Sequence, residues 1–161
     1  MNNYIKNMRS LIGNKPLLVC GASTIVLDGD NRVLMQLRKD NNCWGFPGGV
    51  VELGEKVADA AIREVFEETG LIVSDLKLFG VFSGEDLHYI YPNGDEVYIV
   101  DVVFVSKNYR GCIKIDESEC KDVRFFDIDN VPENISPPLK QSVNELIRKH
   151  RDKSLYKLFD D

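Results

Sequence analysis

Three carboxylates on one predicted helix have the spacing of a metal site. At about 100° per residue, Glu64, Glu67 and Glu68 fall within an arc of roughly 100° on one helix face. Like charges at this spacing oppose helix formation, so a compensating positive charge is expected nearby. Clustered oxygen ligands are what Mg²⁺ and Mn²⁺ select, and such a cation would supply that charge. A solvated acidic face without any ligand is the alternative interpretation.

The residues around these acids indicate where their helix begins and ends. Pro47, Gly48 and Gly49 predict a turn or a strand end before the helix. Glu55 is expected in the first helical turn, where an acidic side chain suits the helix dipole, and Gly70 is expected to end the helix. An apolar stripe beside the acids should dock on a sheet and leave the acids facing a cleft. The stripe consists of Ala58, Ala61, Ile62 and Val65.

The composition is that of a single soluble domain. The chain has 161 residues, 43% hydrophobic and 29% charged, and no apolar run approaches the ~20 residues of a membrane span. The net charge of −6 argues against a nucleic-acid polymer as partner. The N-terminal residues lack the apolar core of a signal peptide, so we expect a cytoplasmic protein with no membrane partner. The four cysteines form no C-x-x-C pair and are expected to be free thiols.

Hydrophobic periodicity predicts one domain over residues 1–161 with a helix near each end. The helices are expected within residues 1–13 and 137–150. The strongest strand signal is 96–105, EVYIVDVVFV, which is nearly continuous in apolar residues, as a central strand would be. Further strands are expected at residues 17–27, 32–37, 76–82 and 123–128, with a possible edge pairing at 112–115.

The pattern over residues 49–71 resembles the box of the Nudix (MutT-like) hydrolase family. It runs Gly49, five residues, Glu55, seven residues, and then REVFEETGL over 63–71. The preceding residues 44–48, WGFPG, also resemble the usual approach to this box. The resemblance implies an α/β/α sandwich with a mixed β-sheet between helices. It also implies a metal-dependent hydrolase of phosphorus-containing anhydrides, with Mg²⁺ or Mn²⁺ as cofactor.

The resemblance assigns roles to the acids of this box. Glu64 and Glu68 are expected as the main metal ligands, and Glu67 as a residue that shares a metal or its water shell. The Gly48 carbonyl is expected as an additional ligand, and Arg63 as the organiser of the carboxylates. Bound cations would neutralise phosphate charge, position the substrate and lower the pKa of a water molecule.

The general base is left open at this stage. Glu64 is one candidate, and a glutamate in the loop before the last strand is the other, with Glu119 preferred and Glu117 as the alternate. An ordinary acidic loop is the competing interpretation of residues 116–119. Glu55 is expected mainly to support the junction between loop and helix, with metal ligation as a second possibility.

Residues outside the box could bind the substrate. Arg38 ends a predicted strand and could hold a phosphate bidentately, although a solvated strand-end charge would look the same. Tyr89 resembles the tyrosine of diadenosine polyphosphate hydrolases and could equally be a strand-end aromatic residue, while Tyr91 and Phe82 are further candidates for stacking on a base. Trp44 is expected to pack beneath the loop, with contact to a base as the alternative.

The substrate class implied is a nucleoside diphosphate linked to another moiety, such as a diadenosine polyphosphate or ADP-ribose. ADP-ribose members tend to carry a proline after the box where this chain has Asp86 and Leu87. A sanitising nucleoside triphosphate pyrophosphatase is the alternative enzyme. A non-catalytic, ligand-sensing Nudix module is the alternative from another class, but such modules usually lose a box acid and here all remain. A homodimer is possible, since it is common in the family.

Overall fold

The computed structural model describes residues 3–160. The α-helices of this part of the chain are α1 (Asn3–Ile12), α2 (Val57–Thr69) and α3 (Lys140–Arg151). The strands are β1 (Leu17–Val26), β2 (Val33–Arg38), β3 (Trp44–Gly45), β4 (Gly48–Val50), β5 (Ile72–Ser74), β6 (Lys77–Phe82), β7 (His88–Ile90), β8 (Glu96–Ser106), β9 (Asn108–Arg110) and β10 (Cys120–Phe126). No helix within residues 3–160 is long and apolar enough to cross a membrane.

The main sheet is mixed because β1 has a parallel neighbour on one side and an antiparallel neighbour on the other. Its order is β4-β1-β8-β6, and β7 also pairs with β8. β1 and β8 run parallel, with Leu17 opposite Val97 and Val26 opposite Ser106. β4 pairs antiparallel with β1, and β6 pairs antiparallel with β8. A second sheet has the order β10-β2-β3, and β5 pairs with β9.

Alternate residues of β1 face two different helices. Ala22 packs with Ala60 and Ala61 of α2, because small side chains let this helix approach the sheet closely. On the other face, Ile25 belongs to the large core cluster that contains Val143 and Leu146 of α3. The sheet therefore lies between helices, which confirms the predicted α/β/α sandwich with a mixed sheet.

Most predicted elements lie close to the observed ones. The predicted strand at 112–115 is wrong: Gly111 turns the chain at a φ of 98°, and the N–H of Lys114 donates to the carbonyl of Thr69 at 2.8 Å instead of joining a sheet. Strand β9, which begins four residues earlier, provides the pairing with β5.

The terminal helices differ slightly from their predicted ranges. The C-terminal helix begins with a 3₁₀ turn at Pro137–Leu139 before α3. In the predicted range 1–13, residues 1 and 2 lie outside the described residues, and Gly13 follows α1 with a φ of 63°. The four cysteines are free thiols, as expected.

Candidate active site

The loop before α2 is held by Glu55. The N–H of Glu52 donates to Oε2 of Glu55 at 2.9 Å, and Gly54 supplies the turn with a φ of 79°. Because α2 begins at Val57, Glu55 lies before the helix, and the prediction that it sits in the first turn is wrong. Its carboxylate ties the loop to the helix through Arg63 instead.

Arg63 is the positive charge that the acidic helix face requires. Its guanidinium makes two hydrogen bonds to Glu55, from Nε to Oε1 at 2.8 Å and from Nη2 to Oε2 at 3.0 Å. Its Nη1 donates to Oε1 of Glu64 at 2.5 Å and to Oε2 of Glu67 at 3.2 Å. The hydrogen bond from Arg63 lowers the pKa of Glu55 below its ordinary value. The structure thus places Arg63 at the centre of the box acids.

Glu68 is the most buried acid of the box. Its side chain is 4% exposed, and its Oε2 accepts hydrogen bonds from Nε2 of Gln36 and from the N–H of Gly48, each at 2.8 Å. Burial, and then the nearby charge of Glu64, raise the pKa of Glu68 to about 8. Ionising this group in the free protein is therefore costly, and a cation beside it would reverse that cost.

Glu64 packs directly against a glycine of β4. A Cβ added to Gly49 would lie 2.5 Å from the carboxyl carbon of Glu64, so a side chain at residue 49 would displace this carboxylate. Burial raises the pKa of Glu64, against the hydrogen bond from Arg63 that lowers it. The closeness of Gly49 thus explains why the predicted pattern has glycine at this position.

Glu67 and Glu119 complete an acidic cleft. Glu67 is about half exposed, with 54% of its side chain accessible, and Glu119 is exposed in the loop before β10. Both line one surface cleft together with Glu52, Arg63 and Glu64. The alternate base Glu117 does not line this cleft: it lines a neighbouring groove with Phe66 and Lys114, and Glu67 lies between the two.

The pairing of β4 with β1 fixes which way the Gly48 peptide points. The N–H of Thr24 donates to the Pro47 carbonyl, and the N–H of Val51 donates to the Cys20 carbonyl, each at 2.9 Å. Successive residues of an antiparallel strand point their backbone groups to opposite sides. Gly48, between these bonded positions, therefore directs its N–H and carbonyl away from β1.

Contacts with α2 confirm this direction. The Gly48 N–H reaches Glu68, and the Val50 carbonyl, two residues on, accepts from Nη2 of Arg63 at 3.3 Å. Because the N–H and carbonyl of one strand residue point to the same side, the Gly48 carbonyl lies on the side of the carboxylates.

These residues fit a hard divalent cation by their chemistry. Within residues 3–160 no three His, Cys, Asp or Glu side chains are arranged so that they could hold a metal ion as they stand. In this arrangement Arg63 binds oxygens of Glu64 and Glu67. All the available donors are nevertheless oxygens, which is the donor set that Mg²⁺ or Mn²⁺ prefers. The buried Glu68 also has a raised pKa that a bound cation would lower.

A separate cavity lies on the other side of β4. Arg38 and Tyr89 both line it, together with Tyr91 and the backbone of Gly48. Arg38 is held by Asp40 through Nε–Oδ1 at 3.1 Å and Nη2–Oδ2 at 2.9 Å, and the Tyr89 hydroxyl accepts from Nδ2 of Asn41 at 3.1 Å. The two predicted substrate-binding residues are thus brought together in this cavity, apart from the acidic cleft.

Two aromatic candidates lie away from the cavity lining. Trp44 packs edge-on against Phe126, with ring centroids 4.8 Å apart, which is the core position expected for it. Phe82 stacks on Phe79 with a centroid distance of 6.2 Å, so the suggestion that it stacks on a base is not supported by its position.

Sequence reasoning missed three polar residues of this region. Gln36 binds Glu68, and Ser23 binds Asp101 through its hydroxyl, 3.0 Å from each carboxylate oxygen. One signal was available, because Asp101 interrupts the apolar run of the central strand. The hydrogen-bonding partners of Gln36 and Ser23 lie far away in the sequence and left no such signal.

The fold and the segment of residues 49–71 together define a protein of the Nudix class. The sequence model of the NUDIX domain matches residues 18–147, most of the chain, and the chain belongs to this family. The resemblance of residues 49–71 to the Nudix family is thereby confirmed.

Two microbial proteins are similar to this chain in sequence. An ADP-ribose pyrophosphatase of Methanocaldococcus jannaschii is 37% identical over 110 residues, which cover 66% of this chain and 61% of that protein. The chain thus spans about three-fifths of this relative. A putative 8-oxo-dGTP diphosphatase of Bacillus subtilis is 29% identical over 125 residues, 78% of this chain and 77% of that protein.

Solved structures share the fold. A MutT NUDIX hydrolase from Burkholderia pseudomallei superposes with a TM-score of 0.68 at 24% identity, covering 81% of this chain and 98% of that one. At this identity the likeness shows the architecture alone, which agrees with the mixed sheet and flanking helices described above.

Proposed function

We propose that this Nudix hydrolase cleaves a phosphoanhydride bond in a nucleoside diphosphate linked to another moiety, with Mg²⁺ or Mn²⁺ as cofactor. The observation that carries this proposal is the position of β4 between two sites. Val50 lines both the acidic cleft and the cavity that contains Arg38 and Tyr89. A substrate with its nucleoside in the cavity would extend its diphosphate across β4 to the carboxylates.

The box residues would hold the cation in this proposal. Glu64, Glu67, Glu68 and the Gly48 carbonyl are the proposed ligands, and the bound ion would neutralise phosphate charge and acidify a water molecule. Arg63 keeps the carboxylates together against their mutual repulsion, because it is hydrogen-bonded to Glu55 outside the cluster.

Proton removal is assigned to a carboxylate at the mouth of the acidic cleft. Glu119 is exposed there and Glu64 lies deeper, so either can reach water in this cleft, and Glu119 is the base we favour. Glu117 is disfavoured because it lines a different groove. Arg38 would bind a substrate phosphate, since Asp40 holds its guanidinium at the cavity edge.

The relatives support an adenine-containing substrate first. The relative named ADP-ribose pyrophosphatase supports ADP-ribose, and Tyr89 in the cavity supports a diadenosine polyphosphate as the next candidate. The relative named putative 8-oxo-dGTP diphosphatase supports the alternative, a sanitising triphosphate pyrophosphatase. The sensing module is disfavoured because every box acid is present. A cytoplasmic location and a homodimer stay predictions.

The test is product-resolved hydrolysis of ADP-ribose, diadenosine tetraphosphate and 8-oxo-dGTP, with Mg²⁺ and then Mn²⁺. Wild type is compared with Glu67→Gln, and with Glu133→Gln as a matched change at an exposed loop acid that lines neither the cleft nor the cavity. We expect turnover of an adenine compound that falls by at least about a hundredfold in Glu67→Gln and is unchanged in Glu133→Gln.

Thermal stability provides a second readout. Mg²⁺ that binds the folded protein should raise its melting temperature, and the rise should be smaller for Glu67→Gln. Turnover that survives in Glu67→Gln would contradict the assigned ligands. Binding of Mg²⁺ without turnover of any of these compounds would instead favour the sensing module.

A further inference from the structure

Asp101 is a buried acid outside the acidic cleft. It lies in β8, is 5% exposed, and lines the cavity on the face of the sheet opposite α2. Within the described residues, the hydrogen bonds to its carboxylate come from the hydroxyl of Ser23, which lies 3.0 Å from each oxygen. One hydroxyl carries one proton, so the carboxyl oxygens keep unused acceptor capacity in a buried place.

A glycine opens the way from the cavity to this carboxyl group. Gly21 is opposite Asp101 in the parallel pairing of β1 with β8, and it also lines the cavity. A Cβ on Gly21 would lie 2.9 Å from Oδ1 of Asp101 and would cover it. Because residue 21 has no side chain, Oδ1 is left uncovered on the side of Gly21.

The rest of the cavity suits a flat ring. Tyr89 and Tyr91 meet edge to face with centroids 4.9 Å apart, and Leu87 and Phe46 add apolar wall. The cavity has a volume of about 90 Å³. A buried water needs roughly 10–15 Å³ of such space, so there is room for several waters or one planar ring.

We propose that Asp101 and Ser23 form the acceptor that binds the exocyclic amino group of adenine at the floor of this cavity. They would be specificity residues of the hydrolase, and this inference rests on the proposed function. The amino group donates, and a carboxyl oxygen accepts whether or not the acid is protonated. A base without the amino group would leave a buried acceptor unpaired, which lowers affinity.

The test removes each side of this hydrogen bond in turn. The value of kcat/KM is measured for ADP-ribose and for the analogue in which hydrogen replaces the 6-amino group. Wild type should prefer ADP-ribose by roughly tenfold to a hundredfold. In Asp101→Leu, which has the same branched shape and no acceptor, that preference should fall to about one, as expected for loss of the pairing.

Two further variants keep the result interpretable. Asp101→Asn retains an acceptor oxygen and the shape of the side chain, so it should fold even if Asp101→Leu does not, and it should keep part of the preference. Asp30→Asn changes an 84% exposed aspartate in the turn after β1 and should leave the preference unchanged.

Three outcomes would overturn the inference. The first is a wild type that cleaves both substrates equally well, and the second is a preference that persists in a folded Asp101→Leu protein. The third is a selective loss in Asp101→Leu of discrimination against 2′-deoxy-ADP-ribose, which would assign the acid to the ribose.

Failure of the proposed function can be told apart from failure of this inference. If no ADP-ribose is cleaved, the affinities for AMP and purine riboside monophosphate are measured by calorimetry on the same variants. Tighter binding of AMP by wild type and not by Asp101→Leu would support the acceptor, and equal binding would refute it.

Discussion

Nε2 of Gln36 lies 2.8 Å from Oε2 of Glu68, and both side chains are almost completely buried. The same oxygen accepts the N–H of Gly48, so two fixed donors orient one face of this carboxyl group. Within residues 3–160 its other oxygen, Oε1, accepts no hydrogen bond, so it would be available to the cation of the proposed function. Gln36 is therefore a positioning residue that joins β2 to the acidic face of α2, although it lies far from the box in sequence.

Replacing Gln36 with leucine should destabilise the protein by about 1–3 kcal/mol, because a buried acid loses one of its two donors. Denaturant unfolding measures the effect. Gln141→Leu, at an exposed position of α3, is the matched control and should change stability little. Equal stabilities of the two variants would show that Gln36 does not support Glu68.

Alanine at residue 49 should lower kcat by about 10- to 100-fold while the protein stays folded. The new Cβ would collide with the Glu64 carboxylate and shift it, and a displacement of about 1 Å at a reacting group can cost that much. Gly29→Ala is the control, since its added Cβ meets nothing within 4 Å. An active Gly49→Ala enzyme would argue that Glu64 tolerates displacement.

Lysine at residue 63 should weaken the link between the loop and α2. Lysine cannot make the paired hydrogen bonds that the guanidinium donates to Glu55, so a double-mutant cycle with Glu55→Gln should show coupling of about 0.5–1 kcal/mol. The cycle of Arg148→Lys with Glu145→Gln provides the comparison, because that paired contact is more exposed. Similar coupling in both cycles would remove any special role for Arg63 in the fold.

The stability of the protein should fall as the pH rises, because of Asp101. Burial raises the pKa of this group from 3.8 to about 6, although the hydrogen bond from Ser23 lowers it. Because its pKa is raised in the folded state, Asp101 contributes to stability when it is protonated. This contribution is fully present below pH 3.8 and is lost as the pH rises through about 6.

Unfolding of wild type and Asp101→Asn, both with chelator present, isolates this contribution. The stability of wild type relative to Asp101→Asn should drop by on the order of 3 kcal/mol between acidic and mildly alkaline pH. Chelator leaves the box acids in the same state in both proteins. Parallel pH curves would show that Asp101 titrates normally.

Local sequence patterns were enough to predict the acidic helix and the central strand, whereas the sandwich was implied by the resemblance to the Nudix family. The spacing of Glu64, Glu67 and Glu68 and the glycine at residue 49 depend on contacts within one loop and one helix, and such contacts leave a periodic trace. The edge strand was placed wrongly because a three-residue strand has too few residues to show alternation, and Gly111 was not read as the turn that ends it.

Long-range polar contacts could not be predicted in the same way. Gln36 and Glu68 are 32 residues apart, and Ser23 and Asp101 are 78 apart. Each pairing depends on strand order and register, which a single sequence does not reveal. The start of α2 was misplaced for a related reason, because Glu55 bonds to Arg63 rather than capping the helix.

The alternation of side chains along β1 and β8 has an evolutionary consequence. Ala22 and Phe104 face α2, whereas Gly21 and Asp101, on the same two strands, face the cavity. In the proposed function, mutations at the cavity-facing positions would change which compound is accepted and would leave the box residues of α2 in place. This strand pair would then allow recognition and bond cleavage to diversify independently, so that a few substitutions would retarget one chemistry.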